Sequence, residues 1–391
     1  MKHTFKLNQS TLSNEVLLIL ELIKQEPQSI QINKDLVGKV DWNLFITQAL
    51  HHRVYPALLS RISQSNEIPE HVKTVLNSEF KRNTLKMLYL SAEMEKVNQL
   101  FSKESIPTLC LKGPVLAHKL YGDLSLRTCN DLDILIPMKD IERAEALLVK
   151  EGYQKDDYIQ SVLNDWRWRH HHMMYVHPVK KTKVEVHWRL SPGPGKEPRF
   201  DELWNRRVKS ALPHSSVDML GNEDLFLFLA SHGARHGWSR LRWLMDIKQL
   251  MKQELDWQLL STLLKKNYIE HIAGQSIVLA KQLLHAECNP AALRLASTQR
   301  SQKLAQEAVY YLESMINLHT EPVPEDVSNY HKKHLFSLMS PHQKSLYLLS
   351  TLHPYAEDAK TLPLPQQLHF LYFPLRPLLI MWRKRSKHAM P

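Results

Sequence analysis

Two carboxylates stand two residues apart in the run R-T-C-N-D-L-D-I-L-I at 127–136. In a strand, residues i and i+2 share a face, about 6.5–7 Å apart at Cα. Asp131 and Asp133 would point together while Leu132 and Ile134 point into a core. Adjacent carboxylates repel and need a cation, and hard oxygen ligands turned toward phosphate are what Mg²⁺ uses. An exposed strand start with two acids on its wet face gives the same local pattern. A third carboxylate lies in K-V-E-V-H-W at 183–188, where Val184 and Val186 alternate with Glu185 and His187. If the two strands are neighbours, Asp131, Asp133 and Glu185 could hold two Mg²⁺, one on nucleotide phosphates and one at an attacking hydroxyl. If they are not, Glu185 and His187 are the polar row of an edge strand.

Leu111-Lys112-Gly113-Pro114 reads as a strand end feeding a helix. Gly113 permits close backbone approach, the helix start favours phosphate, and Lys112 would add a point charge. The G-x-x-x-x-G-K-[ST] loop is absent. A second polar group lies at 222–252, read as one helix, where His232 and His236 fall i, i+4 with Arg235, Arg242, Trp243 and Asp246 close behind. This helix could pack against the strands, contact nucleotide or acceptor, or hold a separate metal. Gly233 occupies the position where a zinc protease would carry Glu, and no His-Asp dipeptide occurs, which weakens a phosphohydrolase reading. In R-H-H-H at 169–172, strand alternation would send His170 and His172 to one face and His171 to the other. That spoils a histidine cluster but places the run beside the cleft. Trp166 and Trp168 read as core or rim.

The elements that must position these residues fall in three blocks. Residues 11–104 carry apolar stripes at helical spacing, such as Leu12, Val16, Ile19, Leu20 and Ile23. The texture changes at Ile106. A strand at 106–111, a helix at 114–121 closed by Gly122, a strand at 132–136, a helix at 140–151 stopped by Gly152, and a hairpin of strands at 173–176 and 183–188 follow. After the breaker S-P-G-P-G at 191–195, helical patterns run from 222 to about 318, then at about 341–353 and 365–386. The expected division is 1–104 helical, 105–190 an α/β core, and 191–391 helical.

The chain has 391 residues, 43% hydrophobic and 23% charged, which excludes wholesale disorder. Gly numbers only 10, where average usage of ~7% would give about 27, so helices with short loops are favoured over Gly-rich or propeller-like folds. A formal net charge of +11 suits polyanionic partners such as nucleotides, nucleic acid or acidic lipid. Cys110, Cys129 and Cys288 are scattered and odd in number, which fits a reducing cytoplasm rather than a disulfide framework or thiolate zinc site. No signal peptide is visible, and no run of 18 apolar residues suggests a membrane span. The apolar stretch at 368–382 is interrupted by Pro374 and Pro377 and reads as a docked C-terminal helix.

The order L-K-G-P, L-Y-G-D-x-x-x-R, D-L-D-I-L-I-P, V-E-V-H-W, followed by H-G-A-R-H-G-W-S-R-L-R-W-L-M-D at 232–246, resembles the uncharacterised nucleotidyltransferase family of bacteria, within the DNA polymerase beta-like superfamily. The resemblance spans about residues 40–385 and is strongest at 109–137, 183–190 and 222–247. It implies an α+β protein in which a small mixed-sheet core is embedded in a predominantly helical chain. It further implies a transferase that moves a nucleotidyl group from a nucleoside triphosphate such as ATP, with Mg²⁺ or Mn²⁺. Asp131 and Asp133 would be the paired metal ligands, Glu185 the third carboxylate and Gly113 the phosphate-approach glycine. Pro114 stands where the superfamily usually has a phosphate-binding Ser, so Lys112 and Arg127 become the candidate phosphate contacts. His187, His232, His236 and Arg242 are the remaining candidate nucleotide contacts. The acceptor could be a small molecule, peptide, protein or RNA. A non-catalytic nucleotide- or nucleic-acid-binding module and a histidine-helix phosphohydrolase stay open.

Overall fold

Leu132, Ile134, Leu135 and Ile136 are each at most 1% exposed, so the strand they form is covered on both faces. That is why its sequence is apolar on both sides of the single acid, Asp133, rather than alternating. The computed structural model describes residues 5–25, 32–211, 216–318 and 322–388. Its seven strands are β1 (Leu109–Cys110), β2 (Leu132–Leu135), β3 (Gln154–Lys155), β4 (His172–Val176), β5 (Lys183–His187), β6 (Val208–Ala211) and β7 (Ser216–Met219). They form one mixed sheet in the order β3-β4-β5-β2-β1-β7-β6. β2 runs parallel to β5 and antiparallel to β1, and β4 pairs antiparallel with β5. The protein is thus an α+β fold with a small mixed sheet in a mainly helical chain.

The sheet places the chemistry by register. Asp133 lies opposite Glu185 across the β2–β5 pair, and Leu135 opposite His187. On the other side of β5, His172 lies opposite His187. The expected elements at 114–121 and 140–151 appear as helices Pro114–Tyr121 and Ile141–Lys150, followed by Gly122 and Gly152, both at positive φ. The hairpin of β4 and β5 is also present.

Three features depart from the sequence expectation. First, β6 and β7 lie beyond residue 190 yet join the sheet through β1. They are four residues each and partly polar, too short to register as periodic strands. The buried apolar core likewise runs without a break from the N-terminal helices through the sheet into the helices after residue 222. Second, the segment 222–252 is two helices, Asn222–Arg235 and Leu241–Met251. Gly237 and Trp238 both take positive φ between them. The Trp238 amide donates to the Gly233 carbonyl at 2.8 Å, folding the fully buried indole back under the first helix. Third, β4 takes in His172 but leaves His170 and His171 outside the strand, so the alternation applied to the three histidines does not govern those two.

At the C-terminal end, helix Tyr372–His388 docks by its buried Tyr372, whose hydroxyl donates to the Leu362 carbonyl at 2.7 Å. No helix of the described residues is long and apolar enough to cross a membrane.

The return of Trp238 makes a sharp steric demand on Gly233. A Cβ there would overlap the indole six-membered ring. Gly233→Ala should lower stability by about 1–3 kcal/mol through overpacking, read as a lower urea midpoint. An unchanged midpoint would show that the Trp238 packing is not as described.

Candidate functional site

Asp133 is 1% exposed at the centre of the sheet, and an isolated buried carboxylate is costly. Two groups answer it. Lys112, at the end of β1, places its ammonium 2.7 Å from Asp133 Oδ1. His187, two residues beyond Glu185 on β5, places Nε2 3.3 Å from both Asp133 Oδ1 and Glu185 Oε2. Neither Asp133 oxygen and neither His187 nitrogen has a properly aligned hydrogen-bond partner, although all are buried. Burial alone would raise the Asp133 pKa, but the Lys112 charge and the His187 contact hold it below the ordinary carboxylate value. Burial would lower His187 and Lys112, and the surrounding carboxylates raise both instead.

Asp133, Glu185 and His187 each offer a ligand atom within 4.8 Å of the others. His171, His172 and His187 form a second such group, sharing His187. The expected division of the histidines between faces is therefore overturned: the His171 and His172 rings meet at 4.4 Å. Their tautomers follow from a neighbour. Arg235 Nη1 donates to His171 Nε2 at 3.1 Å, and a guanidinium can only donate. His172 Nδ1 lies 3.2 Å from that same nitrogen, and a proton on Nδ1 is the tautomer that avoids two facing lone pairs. This leaves His172 Nε2 with its lone pair, 3.8 Å from Glu185 Oε2. A ring fixed by its far nitrogen with the near one free is the arrangement of metal-ligating histidines. Burial and the neighbouring His187 push the His172 pKa down to about 4, so the ring is neutral.

Asp131 stands just before β2, only partly buried, and outside both groups. Its backbone carbonyl accepts from Cys129 Sγ at 2.8 Å. The carboxylates that meet across the strands are thus Asp133 and Glu185, with Asp131 at the rim. Gly113, at φ 85°, opens the helix Pro114–Tyr121. Pro114 offers no N–H, so Lys112 is the cation of this segment that faces the carboxylates.

Two expected phosphate contacts are engaged elsewhere. Arg127 is 1% exposed at its side chain and makes a bidentate pair with Asp246, Nε to Oδ1 at 3.0 Å and Nη2 to Oδ2 at 3.0 Å. Tyr121 donates to the same carboxylate at 2.9 Å. Arg242 is also buried and donates to the Thr128 carbonyl and hydroxyl. Both arginines hold the loop that leads into Asp131 and β2. Their burial could not be read from helical spacing, because it depends on where the loop 123–130 lies.

His232 reaches the site from helix Asn222–Arg235, with Nε2 3.5 Å from Lys112 Nζ. His236 is its ring neighbour at 4.7 Å, and both rings pack on Trp243 at 5.3 and 5.4 Å. Neither belongs to a candidate metal group among the described residues. The residue that sequence reasoning undervalued is Arg235. Its place i+4 from Ser231 was visible, but its contact with His171 depends on how β4 begins.

The fold and site together define a mixed-sheet protein with carboxylates on adjacent parallel strands beside a glycine-led helix. The model of the uncharacterised nucleotidyltransferase family matches residues 38–285, more than half of the chain, and the chain belongs to that family. The match ends well before residue 385, the limit that the motif resemblance suggests. No curated protein and no solved structure matches the chain.

Two stability predictions follow from this burial. Asp246→Asn leaves Arg127 buried without its counter-charge, so unfolding free energy from urea titration should fall by about 3–5 kcal/mol. A drop below about 1 kcal/mol would mean that the pair is dispensable. The second concerns acid. Burial pushes His51, His172, His271 and His331 down to about 4. The unfolded chain binds these protons near pH 6.5 while the folded chain does not, so stability should decrease as pH falls from about 6.5 toward 4. His187, raised rather than lowered, opposes this as a single group. Calorimetry should show a lower Tm at pH 5 than at pH 7.5, and a Tm that rises instead would contradict the neutral, buried histidines.

Proposed function

We propose that the protein transfers a nucleotidyl group from a nucleoside triphosphate such as ATP to an acceptor hydroxyl, with a divalent cation. The observation that carries this reading is the alignment of Asp133 with Glu185 across parallel strands, flanked by Lys112 and the helix that Gly113 opens. Membership of the nucleotidyltransferase family supports it. The buried, unaligned oxygens of Asp133 and nitrogens of His187 are the groups that a cation would satisfy. Asp133, Glu185 and His187 would hold it, with His172 beside them and Asp131 at the rim. When bound, the cation neutralises phosphate charge and helps position both reactants.

The chain's own groups carry the remaining steps. Lys112 faces the phosphates as a fixed positive charge. Glu185, 20% exposed at its side chain against 1% for Asp133, is the carboxylate that an acceptor can reach. It takes the hydroxyl proton as the acceptor oxygen bonds to the α-phosphorus. The bond from that phosphorus to its bridging oxygen breaks, and pyrophosphate leaves with the electron pair.

The donor set mixes carboxylates with imidazoles, and imidazole favours transition ions over Mg²⁺. Mn²⁺ should therefore bind more tightly than Mg²⁺ in calorimetric titration. Asp133→Asn should weaken Mn²⁺ binding and lower transfer of label from α-³²P-labelled triphosphate by roughly 100-fold or more, since metal charge stabilisation is worth several kcal/mol. Wild-type turnover in that variant would defeat the proposal.

A further inference from the structure

A cavity of about 280 Å³ lies against the face of helix Asn222–Arg235 that carries Leu227, Ser231 and Arg235, next to the face whose Phe228 and His232 meet Lys112. Its walls include Ser231 and Arg235 from that helix, Leu190 from the end of the segment after β5, Asn267, and Leu338. Two polar atoms on these walls are buried without a hydrogen-bond partner, Arg235 Nε and Asn267 Oδ1. Burial pushes the Arg235 pKa down to about 10, which leaves it charged at neutral pH. Arg235 joins no carboxylate within ion-pair distance among the described residues, and its Nη1 is 3.1 Å from His171. One guanidinium therefore faces both the cavity and the His171–His172–Glu185 side of the site. Lys112 meets Asp133 and, from the neighbouring face of the same helix, His232.

This division gives the two substrates separate places. A triphosphate belongs with Lys112 and the Gly113 helix, and the attacking group belongs with Glu185. We infer that this cavity binds the acceptor, a small molecule with an apolar body and an anionic group, carboxylate or phosphate, paired with Arg235. The inference rests on the nucleotidyl-transfer reading and gives its acceptor class. The buried Arg235 Nε calls for an acceptor atom, and the Asn267 carbonyl oxygen calls for a donor. Leu190, Leu227, Ile272 and Leu338 supply the apolar wall. A cavity of this volume admits a small metabolite or a single side chain, and a folded protein or RNA helix could present only a terminus to it.

The binding test uses benzoate and phenyl phosphate as anionic probes and benzamidine as the cation of similar shape, without nucleotide or metal. Ligand-observed NMR should show both anions binding the wild-type chain and benzamidine not binding. Arg235→Gln should weaken the anions at least tenfold. Ser231→Phe, which fills the cavity from its wall and keeps the Arg235 side chain, should abolish their binding, with folding of each variant checked by calorimetry. Failure of the anions to bind, equal binding of benzamidine, or indifference to both substitutions would overturn the inference. A second measurement adds α-³²P-labelled triphosphate, Mn²⁺ and cell extract. Label should appear in the filtrate of a 3-kDa filter as a new species that chromatography separates from the triphosphate and its hydrolysis products, and Ser231→Phe should remove that species. Label retained on protein or RNA would overturn the small-molecule acceptor while leaving nucleotidyl transfer standing. A wild-type chain that labels nothing would count against nucleotidyl transfer itself, a failure that the nucleotide-free binding measurement separates from the cavity.

Discussion

The burial of Asp133 is the constraint around which the centre of the protein is arranged. A carboxylate 1% exposed in a covered strand cannot keep its charge without opposite charge close by. Lys112, two residues past β1, and His187 from β5 meet that need from either side of β2. The strand order β5-β2-β1 is therefore an electrostatic arrangement as much as a packing one. A slip of one residue between β2 and β5 would turn Glu185 away from Asp133 and set an apolar side chain beside it.

The helices after residue 222 complete the centre rather than forming a separate body. Asp246 pairs with Arg127, and Arg242 bonds to Thr128, so the second of these helices clamps the loop that delivers Asp131 and β2. The first brings His232 to Lys112 and Arg235 to His171. Gly233 and Gly237 allow the turn between the two helices to fold back tightly, with Trp238 beneath. One H-G-A-R-H-G-W segment thus combines packing residues with groups that face the centre.

The histidines divide by environment. His232 packs edge-on and His236 tilted against Trp243 in an aromatic group. His172 and His187 face Glu185, with His171 beside them and its Nε2 accepting from Arg235. The same residue type serves packing in one place and faces carboxylates in the other. The difference lies in whether a carboxylate shares the space.

Much of the centre was legible in the sequence because short-range periodicity governs it. Alternation in K-V-E-V-H-W identified Glu185 and His187 as neighbours on one face, and the D-x-D run marked β2. Turn glycines and apolar stripes located the helix Pro114–Tyr121 and the β4–β5 hairpin. What periodicity could not decide was which long-range partner each charge would meet. Arg127 and Arg242 had the right chemistry for phosphate, and only the tertiary structure committed them to Asp246 and Thr128. His171 joined its neighbours because β4 begins one residue later, which strand alternation cannot reveal. Local sequence determines the face on which a side chain emerges. Burial and counter-charges, which come from residues more than a hundred positions away in the Arg127–Asp246 pair, determine what that side chain does there.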